Sequence, residues 1–96
     1  MAKGYWIGRV DVTDPEQYKN YLATNGPAFE KYGAKFLVRG GDFSSLEGEN
    51  RSRNVVIEFE SVETALACYN SPEYQTAKAH RLPASEADIF IIEGYE

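Results

Sequence analysis

Lys35-Phe36-Leu37-Val38-Arg39-Gly40-Gly41 is an apolar run of strand type, with an arginine near its end and two glycines directly behind it. Its composition predicts a strand over residues 35–40, resuming through 43–47. The next segment, Gly48-Glu49-Asn50-Arg51-Ser52, is polar and turn-rich and reads as an exposed loop. Beyond it, residues 54–60 alternate, with Val55, Ile57 and Phe59 on one face and Val56, Glu58 and Glu60 on the other. These two strands form a hairpin in the middle of the chain. What flanks the hairpin settles the fold.

On the N-terminal side, residues 5–12 alternate as a strand. Trp6, Gly8, Val10 and Val12 form the core-facing set, and Gly8 beside Trp6 leaves room for a bulky neighbour. Thr13-Asp14-Pro15-Glu16-Gln17 is a helix start: Asp14 caps, Pro15 suits the first helical position, and Gln17 completes a capping-box pattern. Tyr18, Tyr21, Leu22, Asn25, Phe29 and Tyr32 then recur at helical spacing, and Gly26-Pro27 predicts a kink or break. Gly33 is placed to end the helix.

On the C-terminal side, Ser61 caps a helix carrying Val62, Ala65, Leu66 and Tyr69. Ser71-Pro72-Glu73 opens a further helix over residues 72–81, which Pro83 ends, and residues 87–94 form a last, β-branched strand.

The order β-α-β-β-α-β places the chain in the α+β class. It predicts a ferredoxin-like sandwich over residues 1–96 as one domain, with a four-stranded antiparallel sheet and helices on one face. Nothing is left to cover the other face, although Tyr5 and Ile7 make it partly apolar. A second copy packed sheet to sheet is the simplest cover, so a homodimer is expected.

Composition narrows the function classes. Fifteen acidic against ten basic residues give a net charge of −5, and the basic residues are scattered, which disfavours nucleic acid as a partner. No apolar run approaches the roughly 20 residues of a membrane span, and no signal-peptide pattern opens the chain. A cytoplasmic location is expected. Cys68 alone precludes an internal disulfide. His80 is the only histidine and no cysteine lies near it in sequence, so no metal site is expected. Arg39-Gly40-Gly41 lacks the pattern of a dinucleotide fingerprint or a P-loop, and no cofactor is expected.

Several stretches together resemble one small bacterial family. They are Gly4-Tyr5-Trp6-Ile7, Phe36-Leu37-Val38-Arg39-Gly40-Gly41, Asn54-Val55-Val56-Ile57-Glu58-Phe59, Ser71-Pro72-Glu73-Tyr74-Gln75, and the tail from Arg81-Leu82-Pro83-Ala84-Ser85 to Ile92-Glu93-Gly94-Tyr95. The family is the domain-of-unknown-function family thirteen-thirty, within the dimeric α/β-barrel superfamily. The resemblance implies the same fold and a homodimer whose sheets form a barrel, and it implies no established activity. Superfamily relatives include cofactor-free monooxygenases, muconolactone isomerases and haem-degrading enzymes, an analogy at the level of fold.

Candidate site residues follow from chemistry. Arg39, with Gly40 and Gly41 clearing space behind it, suits a carboxylate clamp, or else a salt bridge to Glu58 on the neighbouring strand. Tyr74 and Arg81 lie seven residues apart on one helix face and would line a pocket wall; alternatively Arg81 only favours the helix C-terminus. Glu58 is a candidate general base or an ion-pair partner, and His80 a candidate base or a solvated helix-end charge. Two readings stand open. In one, the homodimer binds a small anionic or aromatic organic molecule near the barrel, with cofactor-independent chemistry. In the other, it is a non-catalytic structural or interaction module whose charges form interface salt bridges.

Overall fold

The computed structural model describes residues 2–96. Its elements are β1 (Gly4–Val12), α1 (Pro15–Thr24), α2 (Gly26–Lys31), β2 (Lys35–Arg39), β3 (Arg53–Phe59), α3 (Val62–Asn70), α4 (Pro72–Arg81) and β4 (Ser85–Glu93). The four strands form one sheet in the order β2-β3-β1-β4, and every neighbouring pair is antiparallel. This is the ferredoxin-like arrangement expected from the element order.

The helix starts follow their capping residues. Asp14 Oδ1 accepts from the Gln17 N–H at 3.2 Å, Ser61 Oγ from the Thr64 N–H at 3.1 Å and Ser71 Oγ from the Tyr74 N–H at 3.1 Å. Each satisfies a backbone donor that the first helical turn leaves free. Gly26-Pro27 breaks the first helical region at Asn25, dividing it into α1 and α2. No helix among the described residues is long and apolar enough to cross a membrane.

Side-chain alternation on β1 divides the sheet. Trp6 and Val10 are buried with Ile57 and Phe59 of β3 beneath Tyr18, Tyr21, Phe29, Cys68 and Tyr74 from the helices. Burying each large side chain of this kind contributes about 1.5–3 kcal/mol. The opposite face is less covered. One register row across it, Val38–Val56–Ile7–Phe90, is apolar throughout, and Phe90 is half exposed.

Three details differ from expectation. Residues 43–47 do not resume the strand; β2 stops at Arg39, and Gly40 turns away with φ 71°. β4 begins at Ser85 rather than Ala87, because β1 extends far enough to pair Val12 with Ser85 and Asp11 with Glu86. The close approach expected at Gly8 occurs at Gly4. A Cβ on Gly8 would sit 3.7 Å from its nearest neighbour, Trp6 Nε1, whereas one on Gly4 would sit 2.5 Å from the Ser61 carbonyl oxygen. Gly4 therefore lets β1 pass against the backbone that starts α3.

A bulge has the largest consequence. Phe36 pairs with Ile57, but Val38 pairs with Val56, leaving Leu37 as an extra residue. The slip puts Arg39 in register with Val55 on the helix side, while Glu58 pairs with Lys35 and Tyr5 on the other face. A cross-strand salt bridge between Arg39 and Glu58 is thereby excluded.

Two substitutions test the backbone approach. Gly4→Ala should lower stability by about 1–3 kcal/mol through overpacking against backbone that cannot yield. Gly8→Ala should change it by no more than about 0.5–1 kcal/mol. Urea unfolding of both variants, followed by Trp6 emission, provides the comparison.

Candidate functional site

α1 and α4 pack together on the helix side of the sheet and bring their polar aromatic residues into one buried cluster. Tyr21 and Tyr74 share a hydrogen bond of 2.9 Å between their hydroxyls. The Tyr18 ring lies 5.3 Å from that of Tyr21, and Trp6 meets Tyr74 edge to face at 4.9 Å. Arg81, at the end of α4, is only 5% exposed, with its guanidinium carbon 5.8 Å from the Tyr21 ring centre. Asn25, which ends α1, is buried beside them and faces the Tyr21 hydroxyl.

Arg53 enters from the sheet. It pairs with Val10, so it shares the core-facing side of β3 with Val55, Ile57 and Phe59. A Cβ on Gly40 would lie 2.5 Å from Arg53 Nη1; the absence of a side chain at Gly40 is what lets this guanidinium lie where it does.

Hydrogen-bond accounting separates this cluster from the rest of the molecule. Among the described residues, the buried side-chain polar atoms without a partner are Asn25 Oδ1, Arg53 Nε, Arg81 Nε and Glu73 Oε1. The first three belong to the cluster. Ion pairs of the described residues form at Lys19, Lys31 and Arg51, and neither Arg53 nor Arg81 meets a carboxylate. Buried guanidinium groups normally have an anionic partner, and unsatisfied buried polar atoms call for ordered water or a ligand.

The phenols respond to the same surroundings. Burial is the main cause that pushes Tyr21 far above the ordinary tyrosine range, with Tyr74 adding to it. Tyr18 and Tyr74 are also raised by burial, and the positive charges nearby (Arg53 and Arg81 for Tyr18, Arg81 for Tyr74) work against that shift. All three phenols are therefore neutral hydrogen-bond donors at neutral pH. Cys68 lies in the adjacent core, where burial pushes its thiol up to about 12; it is an inert packing residue at neutral pH.

The sequence candidates divide between this cluster and the surface. Tyr74 and Arg81 come together in it, and Gly40 adjoins it through Arg53. Arg39 is exposed and stacks on Phe36 at 4.1 Å. Gly41 is exposed in the loop. Glu58 lies on the opposite sheet face, where its Oε2 accepts from the Tyr5 hydroxyl at 3.2 Å. His80 is half buried between helices, with Nδ1 accepting from Gln17 Nε2 at 3.3 Å. Tyr18, Tyr21, Asn25 and Arg53 are not among the residues that sequence marks for a site. Arg53 did carry a signal, since it is a charge with the same parity as Val55, Ile57 and Phe59.

A surface cleft of about 670 Å³ lies elsewhere, beside the β2–β3 loop. Arg51 is tied there to the surrounding carboxylates. Arg51 Nη1 donates to Asp11 Oδ2 at 3.0 Å, and Arg51 Nε to Asp88 Oδ2 at 2.8 Å. The Ser52 N–H donates to Asp11 Oδ1 at 2.9 Å and, with Arg51, holds the Asp11 carboxyl below the usual range. This network anchors the end of the loop to β1 and β4. Among the described residues no group of three or more His, Cys, Asp or Glu side chains gathers to hold a metal ion.

A family model described as "Domain of unknown function (DUF1330)" matches residues 3–95. The chain belongs to this family. Its fold is similar to that of RPA0582, a protein of unknown function from Rhodopseudomonas palustris, with a TM-score of 0.80 and 21% identity over 99% of this chain and 84% of that one. It is also similar to SnoaB, a cofactor-independent oxygenase from Streptomyces nogalater, with a TM-score of 0.65 and 10% identity over 100% of this chain and 96% of that one. A dimeric ferredoxin-like protein of unknown function from Thermobifida fusca matches with a TM-score of 0.59 and 16% identity, covering 96% and 91% of the respective chains. These likenesses establish the fold. No curated protein matches the chain.

The raised phenols make stability fall in alkali. A phenol with a folded-state pKa above its unfolded value contributes stability that is fully present below about pH 10 and lost as pH rises through the folded value. Urea midpoints should therefore fall steeply above about pH 10. Tyr21→Phe should flatten that fall by up to about 1.4 kcal/mol per pH unit. An unchanged slope in the variant would remove Tyr21 as the source.

Proposed function

We propose that this DUF1330 chain is a cytoplasmic homodimer that binds a small organic anion with a flat, aromatic or unsaturated body, and that Arg81 holds the anionic group. One observation carries this reading: Arg81 is buried, has no carboxylate partner, and keeps an unsatisfied Nε beside three tyrosines. A guanidinium in that setting matches a carboxylate in both charge and shape. Trp6, Phe29 and Tyr69, all within 6 Å of the Tyr74 ring, supply aromatic surface for the body of the ligand.

The reading extends to chemistry without a resident cofactor. Support comes from the phenol pair, which provides a proton donor in a dry setting, and from analogy with the fold of SnoaB. The homodimer reading rests on the apolar row Val38–Val56–Ile7–Phe90 and on the description of the Thermobifida fusca relative as dimeric. A non-catalytic module is favoured by the Tyr5–Glu58 and Arg51–Asp11–Asp88 contacts, which are already satisfied. In that alternative Arg81 serves the C-terminus of α4 and the Tyr21 ring, and its buried Nε stays without a partner.

Assembly is tested by Ile7→Glu, which places a charge in the middle of the apolar row. Sedimentation should show a dimer for the parent protein and a monomer for the variant. A monomeric parent would sink the dimer reading.

Binding is tested with benzoate as probe and Trp6 emission as readout. The parent protein should show a saturable change. Arg81→Met should weaken it by at least about thirty-fold, the effect of removing one partner of a buried charge pair. The variant's urea midpoint should stay level or rise, because it removes an unpaired buried cation. Equal benzoate binding by both proteins, or a lower midpoint with no binding by the parent, would assign Arg81 a structural role.

A further inference from the structure

We propose that the site is a two-point anion receptor, in which Arg81 holds one anionic group of the ligand and Arg53 holds a second across Tyr18, so that its natural ligand is an organic dianion such as a dicarboxylate. This rests on the reading of Arg81 as an anion clamp and names the class of molecule that the clamp takes.

The inference starts from Arg53. It lies half buried on the core-facing side of β3, in register with buried Val10, with its guanidinium against the Tyr18 hydroxyl. Its Nε is buried and has no partner. In a chain with fifteen acidic residues against ten basic ones, carboxylates are plentiful, yet the ion pairs of the described residues form at Lys19, Lys31 and Arg51 and not at Arg53 or Arg81. Arg53 and Arg81 thus repeat one pattern: each has a buried, unpartnered Nε, and each acts on the Tyr18 phenol, Arg53 from the sheet and Arg81 from α4. Like charges brought to one tyrosine repel, so the arrangement is unfavourable until negative charge enters between them.

The backbone makes room for Arg53 at Gly40. Gly40 adopts φ 71°, and its missing side chain leaves the space that Arg53 Nη1 and Cζ border at 2.5 and 3.2 Å. A glycine whose conformation and clearance both serve one guanidinium is a specificity device, since any larger residue would displace Arg53 and spare Arg81. Two guanidinium groups that both act on Tyr18, neither ion-paired to a carboxylate, match two carboxylates better than a carboxylate and an amine.

Benzoate and the three benzenedicarboxylates are the probes, titrated into the full chain with Trp6 emission as readout. The parent protein should bind at least one dicarboxylate about ten-fold or more tighter than benzoate. Arg53→Met should bring that ratio to within about two-fold while changing benzoate affinity little, and Arg81→Met should weaken all four probes. Gly40→Ala, which displaces the Arg53 guanidinium and leaves its charge in place, should lower the ratio in the same direction. Far-UV circular dichroism confirms that each variant is folded; if Arg53→Met fails to fold, Gly40→Ala and Arg53→Lys decide, the latter lowering the ratio because an ammonium lacks the bidentate fork. Benzoate binding that depends on Arg81 with no preference for a dicarboxylate would overturn the two-point proposal and leave the single clamp standing. Failure of all four probes to bind the parent protein would overturn both.

Discussion

Trp6 is the residue on which the remaining elements converge. It stands on β1, one of the two inner strands of the sheet, and is 2% exposed. Phe29 of α2, Phe59 of β3, Tyr69 of α3 and Tyr74 of α4 all lie within 6.2 Å of its ring, ring centre to ring centre. Aromatic pairs of this kind add about 0.5–1.5 kcal/mol each beyond the area they bury. More importantly, they fix α2, α3 and α4 over the sheet, because one rigid ring meets a ring from each of them. Tyr74 is at once a wall of this aromatic core and a member of the polar cluster. The position of Arg81 one face along the same helix thus follows from how Trp6 packs.

Much of the fold is legible in the residues themselves. Asp14-Pro15, Ser61 and Ser71-Pro72 announce helix starts by a local mechanism, a side-chain oxygen meeting a free N–H, and such signals depend on few neighbours. The alternation of Trp6 and Val10 against Tyr5 and Ile7 identifies the core face for the same reason. What escaped was non-local. The bulge at Leu37 depends on how β2 meets β3, and it alone moves Arg39 to the side of the sheet away from Glu58. The start of β4 depends on how far β1 extends, and the need for glycine at position 4 on where Ser61 lies.

The candidate site was half legible. Tyr74 and Arg81 share a helix face by spacing alone, and they meet in the fold. Arg39 is a more conspicuous arginine in sequence because glycines follow it, yet it is exposed. Arg53 looks unremarkable next to a polar loop, yet parity places it among core residues. The difference is burial: a charge matters to a ligand when the protein has already removed it from water without pairing it. Spacing reveals which residues share a face, but only the packing of α1 against α4 shows which cations have lost their solvent.

The bulge in β2 also bears on solubility. β2 and β4 are the outer strands of the sheet, and outer strands tend to recruit strands from neighbouring molecules. With five residues and a register break at Leu37, β2 offers a short and irregular ladder. β4 is longer and regular, but it carries the charged side chains Glu86, Asp88 and Glu93, the first two drawn to Arg51. The first edge is protected by geometry and the second by charged side chains that a neighbouring strand would have to desolvate. Open-ended edge-to-edge pairing of sheets into fibrils is therefore opposed at both margins.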